Sequence, residues 1–505
     1  MTAPEDAVPG GHTEPAGLSL ADAGLAVALE QRPADLAGVP AEPGQGTVTS
    51  LSAADLEALQ RRNRQVRFRM DRLVAAIDRL LSVQVDEILH HPRFQRLEAS
   101  WRGLLWLVRV SDGVKGVKLR VLNLSWRELA RDLERAAEFD QSEAFDKIYT
   151  QEFDTPGGEP FGLIVADYEP SKHPKDLETL RAFAGVVAAP HTPTVMGCSP
   201  AMFGVDRFRE LVPTIDLPGM FQRPEFAGWR SLRTGTEDTR YLGIAFPRVL
   251  MRLPYRPDGS RADGFIYREA AHGEGAENWL WGSAAYAFAV VVIRSFGTYG
   301  WFGDIRGAGR DLPGGGLVDS LALPWFTTDR PGVANRAPVE AILTERQERE
   351  LSELGFIPLM TARLTSYLVF NSNQSVWQPT RYDKAAARAN ARLSSMLQQI
   401  LCASRFAHYI KVIARDIVGA TATPETCQRR LSDWIYRYTM GGGDTSLETK
   451  ARYPLQSSQI DIRELPGKPG HYALIARLQP QFQLDEMGVT FNLISTVRQQ
   501  AQQAA

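Results

Sequence analysis

Beyond Leu455 the hydrophobic period of this chain changes to two, and no other feature constrains its fold as strongly. Ile460 and Ile462 alternate with Asp461 and Arg463, a PGKPG turn follows, Tyr472, Leu474, Ala476 and Leu478 alternate again, and Val489, Phe491 and Leu493 repeat the pattern. Successive side chains of a strand point to opposite faces, so this spacing predicts a hairpin plus a further strand. A few strands appended to a helical body leave open edges, whose unpaired N–H and C=O groups invite a strand from another chain.

Upstream, helical spacing dominates and short strands interrupt it. Met70, Leu73, Ile77, Leu80, Leu81, Ile88 and Leu89 fall mostly three and four residues apart, which predicts an amphipathic helix stopped by His90, His91 and Pro92. A second helix runs through Phe94, Leu97, Trp101, Leu104, Leu105 and Val108. Lys118–Leu124 reads as a strand, and Ser125 caps a helix beginning WRELARDL. Phe161–Tyr168 reads as a buried strand, Leu177–Ala189 as a helix and Thr194–Gly197 as a short strand, and this alternation argues for an α/β core. Asn278–Phe296 reads as a buried helix, Thr344–Leu354 as a helix ended by Gly355 in a left-handed cap, and Tyr382–Gly419 as a long helical region. The fold class expected is therefore mixed α/β (α+β), with long helices and a C-terminal hairpin plus strand. Residues 1–60, rich in Ala, Pro, Gly and acids, form an arm expected to be mostly disordered, with short helical patches at Leu18–Gln31 and Ala53–Arg62. Residues 61–450 make the core and 451–505 the strand module.

Composition narrows the function. Across 505 residues, 57 basic and 59 acidic side chains leave a net charge of −2, which gives no electrostatic case for nucleic-acid binding. The three cysteines, Cys198, Cys402 and Cys427, lie far apart without metal-ligand spacing, as expected of a reducing cytoplasm. The N-terminus lacks a signal-peptide pattern, and no apolar run reaches the roughly 20 residues that span a bilayer, so no membrane insertion is expected. No phosphate-binding loop, zinc-protease or nucleophile-elbow motif occurs. Gly197-Cys198-Ser199-Pro200 lacks the flanking context of a nucleophile turn and reads as a structural loop, and His90-His91 as a polar helix terminus rather than a metal site. Neither a catalytic set, a cofactor nor a metal is expected.

The segment RYLGIAFPRVLMRLPY at 240–255 threads Arg240, Arg248 and Arg252 through apolar residues. Such arginines either clamp carboxylates of a partner or form ion pairs within the chain. Together with DEILHHPRFQRLEASWRGL (86–104), GGEPFG (157–162), WRSLR (229–233), WLWGSAAYAFA (279–289), LTERQERELSELGFIPL (343–359) and RFAHYIKVIARDIVGA (405–420), this segment resembles the large subunit of the type VI secretion contractile sheath, the TssC/VipB family, in family order over roughly residues 65–497. The resemblance implies a structural protein in the bacterial cytoplasm that pairs with a small sheath subunit (TssB/VipA-like). It also implies self-association into a helical sheath that surrounds Hcp-like inner-tube hexamers on a baseplate, and contraction that drives the inner tube outward. It assigns the C-terminal strands to pairing between subunits, with Ile460, Ile462, Tyr472, Leu474, Leu478, Val489, Phe491 and Leu493 as the residues concerned. Arg240, Arg248 and Arg252 become candidates to face a partner. The N-terminal patch gripped by a ClpV-type unfoldase in such proteins has only a loose counterpart in LSLADAGLAVALEQ at 18–31. The competing readings are a soluble, hydrolase-like α/β enzyme and a baseplate-type adaptor that does not polymerise.

Overall fold

The computed structural model describes residues 52–498 apart from 258–264, 266, 270–277, 309–313, 319, 325–335, 363–366, 381, 419–423, 442–446, 465–470 and 482–490. The expected patch at Leu18–Gln31, the PGKPG turn and Val489 lie outside the described residues. The chain divides into two compact units, one of residues 1–94 with 254–273 and one of residues 95–253 with 274–505.

In the first unit, helix α1 (Ala53–Leu89) runs for 37 residues from a Ser52 cap that accepts from the Asp55 N–H. The segments expected separately at Ala53–Arg62 and from Met70 are thus one helix, because Asn63 to Arg69 contains nothing that breaks a helix. His90 caps its end, as the sequence indicates, and its Nε2 donates to the Glu269 carboxylate at 3.2 Å. Tyr267 donates to Asp86 at 2.6 Å, and Glu269 accepts from the Tyr255 N–H at 2.8 Å, so Tyr267 and Glu269 brace the last turns of the helix.

The second unit is built on a six-stranded mixed sheet. Helix α2 (Pro92–Ser111), all but its first three residues in this unit, precedes α3 (Trp126–Arg135), which opens with the Ser125–Glu128 capping box. Strand β1 (Ile164–Ala166), α4 (Pro174–Ala188) and β2 (Thr194–Met196) then form a parallel βαβ unit, in agreement with the sequence reading. Helix α5 (Ala227–Gly235) leads to β3 (Leu242–Phe246), and β4 (Val249–Leu250) pairs with β5 (Trp281–Gly282). Helix α6 (Ala284–Tyr299), β6 (Leu317–Val318), α7 (Glu345–Glu353), β7 (Ile357–Thr361) and β8 (Leu368–Phe370) complete the body. The sheet order is β1-β2-β3-β7-β8-β6, parallel through β7 and antiparallel at β8 and β6.

One face of the sheet packs on a core that holds Phe203, Phe208, Phe221, Phe226, Phe246, Phe356 and Trp229, whose ring stacks on Phe356 at 5.0 Å. On the other face lies α6, apolar on nearly every side and correspondingly buried from Ala284 to Ile293. Gly355 closes α7 at φ +89°, the left-handed cap that the sequence calls for. Lys118–Leu124 departs from expectation. It runs without a ladder, and ion pairs from Lys118 to Glu159 and from Arg120 to Glu152 pin it in place of a neighbouring strand.

The expected long helix over Tyr382–Gly419 is broken at Ser395–Met396 into α8 (Ala385–Ser394) and α9 (Leu397–Val418). The break is held by polar contacts, since Ser375 donates to the Ser395 carbonyl and the Leu397 N–H bonds Asn373 O. Helix α10 (Pro424–Tyr436) follows. The C-terminal strands β9 (Leu455–Glu464), β10 (His471–Pro480) and β11 (Phe491–Arg498) form an antiparallel sheet in the order β11-β10-β9. The expected hairpin and further strand are present, and Leu474 lies opposite Ile462 and Ser495.

Candidate assembly interface

Among the described residues no group of three or more His, Cys, Asp or Glu side chains could hold a metal, and no helix is long and apolar enough to cross a membrane. Cys198 is fully buried, and burial pushes its thiol well above the ordinary range, the reverse of what a nucleophile needs. The neighbouring Ser199 accepts from the Ala201 N–H and caps a short turn. The features that call for a function are surfaces.

Helix α2 carries the first of them. It buries Ala99, Gly103 and Leu107 and turns Leu97, Trp101, Leu105 and Val108 to water, with Trp101 65% exposed. Small residues lie inside because α6 approaches closely. A Cβ on Gly103 would meet the Tyr286 ring at 2.5 Å. Leu107 packs there with Tyr286, Ala289, Val290 and Ile293. The large apolar residues therefore form a stripe along the outside. The ladderless segment after α2 adds Leu119, Val121 and Leu122, with Val121 69% exposed. Apolar residues exposed singly are ordinary, but a row of them at helical spacing is a candidate interaction surface.

Helix α1, in the other unit, carries a second stripe. Leu56, Leu59, Val66, Met70, Val74, Ile77, Leu81 and Ile88 are all exposed, and no residue of the helix is buried. At 100° per residue these eight positions fall within one narrow band. Arg62, Arg67 and Arg69 border that band.

The C-terminal sheet carries the third feature. Ile460, Leu474, Ala476 and Leu478 are buried, with Ile462 beside them, against Phe406 and Ile410 of α9 and Leu431 and Ile435 of α10. The side chains of Ile460, Ile462, Leu474 and Leu478 thus already have partners inside the chain. What stays open is main chain. β9 and β11 are the sheet edges, and among the described residues β9 beyond Leu455 makes no backbone hydrogen bond except to β10. Tyr472 lies in β10 opposite Glu464 and Val497, and Phe491 and Leu493 lie in edge strand β11 opposite Leu478 and Ala476.

The three arginines are paired within the chain. Arg240 pairs with Glu237 at 2.5 Å and lies over the Trp377 ring at 4.7 Å. Arg248 forks Glu169 at 2.7 and 2.5 Å, with Glu340 at 3.6 Å. Burial opposes its charge, but Glu169 outweighs burial and raises its pKa above the ordinary value. Arg252, 7% exposed, bonds Glu98 at 2.6 Å and 3.3 Å. Burial pushes the Glu98 carboxyl up, yet hydrogen bonds from Arg252 and Arg102 win and leave it below the usual carboxylate range. Of the two readings these residues allowed, the geometry follows the intramolecular one, because the nearby Glu169, Glu98 and Glu237 occupy the guanidinium forks. Sequence reasoning missed the outward stripes on α1 and α2. Their periodicity was visible, but periodicity does not say what covers an apolar face.

Residues 71–377 match the model of the VipB family, described as the EvpB/VC_A0108 tail sheath N-terminal domain, and residues 386–497 match that of the tail sheath gpW/gp25-like domain. The type VI secretion system sheath protein TssC1 of Pseudomonas aeruginosa is 39% identical over 429 residues, 84% of this chain and 85% of that protein. The chain belongs to the TssC/VipB sheath family. It is a type VI secretion sheath large subunit, and its family is structural rather than a known class of enzyme. A crystal structure of a sheath tail protein from Desulfitobacterium hafniense is similar at 10% identity and a TM-score of 0.26, covering 63% of this chain and 60% of that one. The mixed helix-and-sheet fold of this sheath subunit is read from its own strands and helices. The first family match ends at residue 377 and the second begins at residue 386, within α8, where the chain has left the six-stranded sheet for the C-terminal helices and strands.

Proposed function

We propose that this subunit pairs with a small sheath subunit in the cytoplasm and that the pairs polymerise into a helical tube around Hcp-like hexamers on a baseplate, whose contraction drives the inner tube outward. The observation that carries this reading is the outward row Leu97, Trp101, Leu105 and Val108, a face that water alone does not explain. The open edges of β9 and β11 suit the links between neighbouring subunits, because main-chain augmentation gives affinity while the alternating side chains fix register. Strand links of that kind stay joined while bodies rotate and repack. Recycling by a ClpV-type unfoldase would act through residues 18–31.

The test is co-expression with the small sheath-like protein encoded beside this chain and measurement of co-elution. Aromatic residues at the centre of an interface typically contribute about 2 kcal/mol or more, so Trp101→Glu should weaken pairing by roughly 30-fold or more. Because Trp101 is exposed in the free chain, the melting temperature of the uncombined protein should stay where it is. Co-elution unaffected by Trp101→Glu would remove α2 from the interface.

A further inference from the structure

Residues 117–124 have the composition of a strand and stand without a partner strand. Between Val117 and Leu124 the chain makes no helix, turn or bend. Among the described residues, no main-chain N–H or C=O from Val117 to Asn123 takes part in a hydrogen bond, and the Leu124 carbonyl accepts from the Tyr168 hydroxyl at 2.6 Å. Side chains alone hold the run in place. Lys118 pairs with Glu159, and Arg120 pairs with Glu152 and, at 3.3 Å, with Glu159. The Arg120 guanidinium lies 5.9 Å from the centre of the Phe161 ring. With the Tyr168–Leu124 bond, these contacts advance together along both segments, so residues 118–124 run in the same direction as 159–168, which contain β1. β1 is itself an edge of the six-stranded sheet, paired with β2 alone.

Lys118 and Arg120 turn to carboxylates of the body, so the period of two sends Leu119 and Val121 the other way. Leu119, Val121 and Leu122 are all exposed. A run of free N–H and C=O groups flanked by aliphatic side chains is a template for another strand. No described residue of this chain supplies one, and charge narrows the choice of occupant. Residues 113–127 hold Lys115, Lys118, Arg120 and Arg127 and no acid, and Lys115 has no carboxylate partner among the described residues. A second copy of the run would add the same cations to the same edge, and like charges on facing strands oppose pairing. The run also follows α2 after one short turn region at residues 112–116, so it belongs to the same stretch of chain as the helix on which pairing is proposed.

We propose that residues 117–123 accept a β-strand from the small sheath-like subunit, one with aliphatic residues at alternate positions and without a basic run of its own. The two subunits are then joined by main-chain hydrogen bonds as well as by the apolar contact of α2, and the alternating Leu119 and Val121 set the register. The inference rests on the proposed pairing and specifies its mode.

Hydrogen exchange of the full chain tests the strand, while co-elution tests the pairing separately. In the free chain the amides of 117–123 should exchange as freely as those of an unstructured peptide, at every protein concentration. With the small subunit bound, alternate amides of the run should slow by about tenfold or more. Neighbouring N–H groups of a strand point to opposite edges. One of Val121→Pro and Leu122→Pro should therefore lower affinity for the small subunit by about tenfold, while alanine at that position, which keeps the N–H, should lower it less. Neither proline should shift the melting temperature of the free chain, because the N–H it removes is unbonded there. A complex that co-elutes with the run still exchanging freely would overturn the strand and leave the pairing standing. Protection already present in the free chain would overturn it as well, with the chain's own residues as occupant if the protection survives dilution and a second copy if it does not. Equal losses from proline and alanine would make the contact one of side chains and refute the ladder. Failure to form any complex would refute pairing and strand together.

Discussion

His191 and His408 both meet the Phe153 ring edge-on, at 6.5 and 5.9 Å. His191 bonds the Tyr241 hydroxyl at 2.7 Å, and His408 Nε2 donates to the Pro190 carbonyl at 2.7 Å. Burial, helped by Arg240 and Lys411, lowers the His191 pKa from 6.5 to about 4. Burial, helped by Arg405, lowers that of His408 from 6.5 to about 3. Both therefore stay neutral in the folded chain where the unfolded chain takes up protons. The sign follows directly. Stability is complete above pH 6.5 and falls as the pH drops below it, by about 1.4 kcal/mol per unit for each histidine, until the folded values near 4 and 3 are reached. Denaturant melts between pH 7 and pH 4.5 should show this decline, and His408→Gln should flatten it. A slope unchanged by that substitution would place the acid sensitivity elsewhere. Leu474 makes a different point at the same scale. Its side chain is 2% exposed and packed against α9 and α10, so Leu474→Asp should cost several kcal/mol of folding stability. A loss of assembly in that variant would then report unfolding of the module rather than a broken contact, which a thermal melt of the free chain separates.

Helix α2 makes opposite demands on its two faces. Gly103 lies under the Tyr286 ring with no room for a methyl group, so Gly103→Ala should lower the melting temperature by several degrees, equivalent to roughly 1–3 kcal/mol. Trp101→Glu on the outer face should leave it unchanged. If the two substitutions behaved alike, the inner and outer assignments would be mistaken. Such elements show what a sequence reveals. The cap at Ser125, the stop at His90 and the left-handed Gly355 depend on contacts within a few residues, and all were legible. The β1–α4–β2 unit and the C-terminal strands were legible from period alone. Lys118–Leu124 has the composition of a strand, but whether it pairs depends on a neighbour that no local pattern specifies. The break at Ser395–Met396 depends on Asn373 and Ser375, some twenty residues away in sequence. The arginines of 240–255 were visible as a cluster, while their carboxylates come from as far as Glu98 and Glu340.

At the scale of the whole molecule, a chain with a well-filled core also presents two apolar helical stripes and a sheet with open edges. These are the surfaces that the proposed assembly would use. Their positions separate two steps. Pairing is assigned to the stripes and tube growth to the strand edges. Removing residues 491–505 takes away the outer strand β11 and leaves β9 and β10 on their helices, so the truncated chain should still co-elute with the small subunit yet form no tubes. Tubes of normal length from that truncation would contradict the role given to the edge. The most direct measurement is negative-stain electron microscopy of the full chain co-expressed with the small sheath-like subunit encoded beside it. Long hollow tubes with a regular helical repeat are the result this account requires. Discrete particles of fixed size at every protein concentration would contradict it.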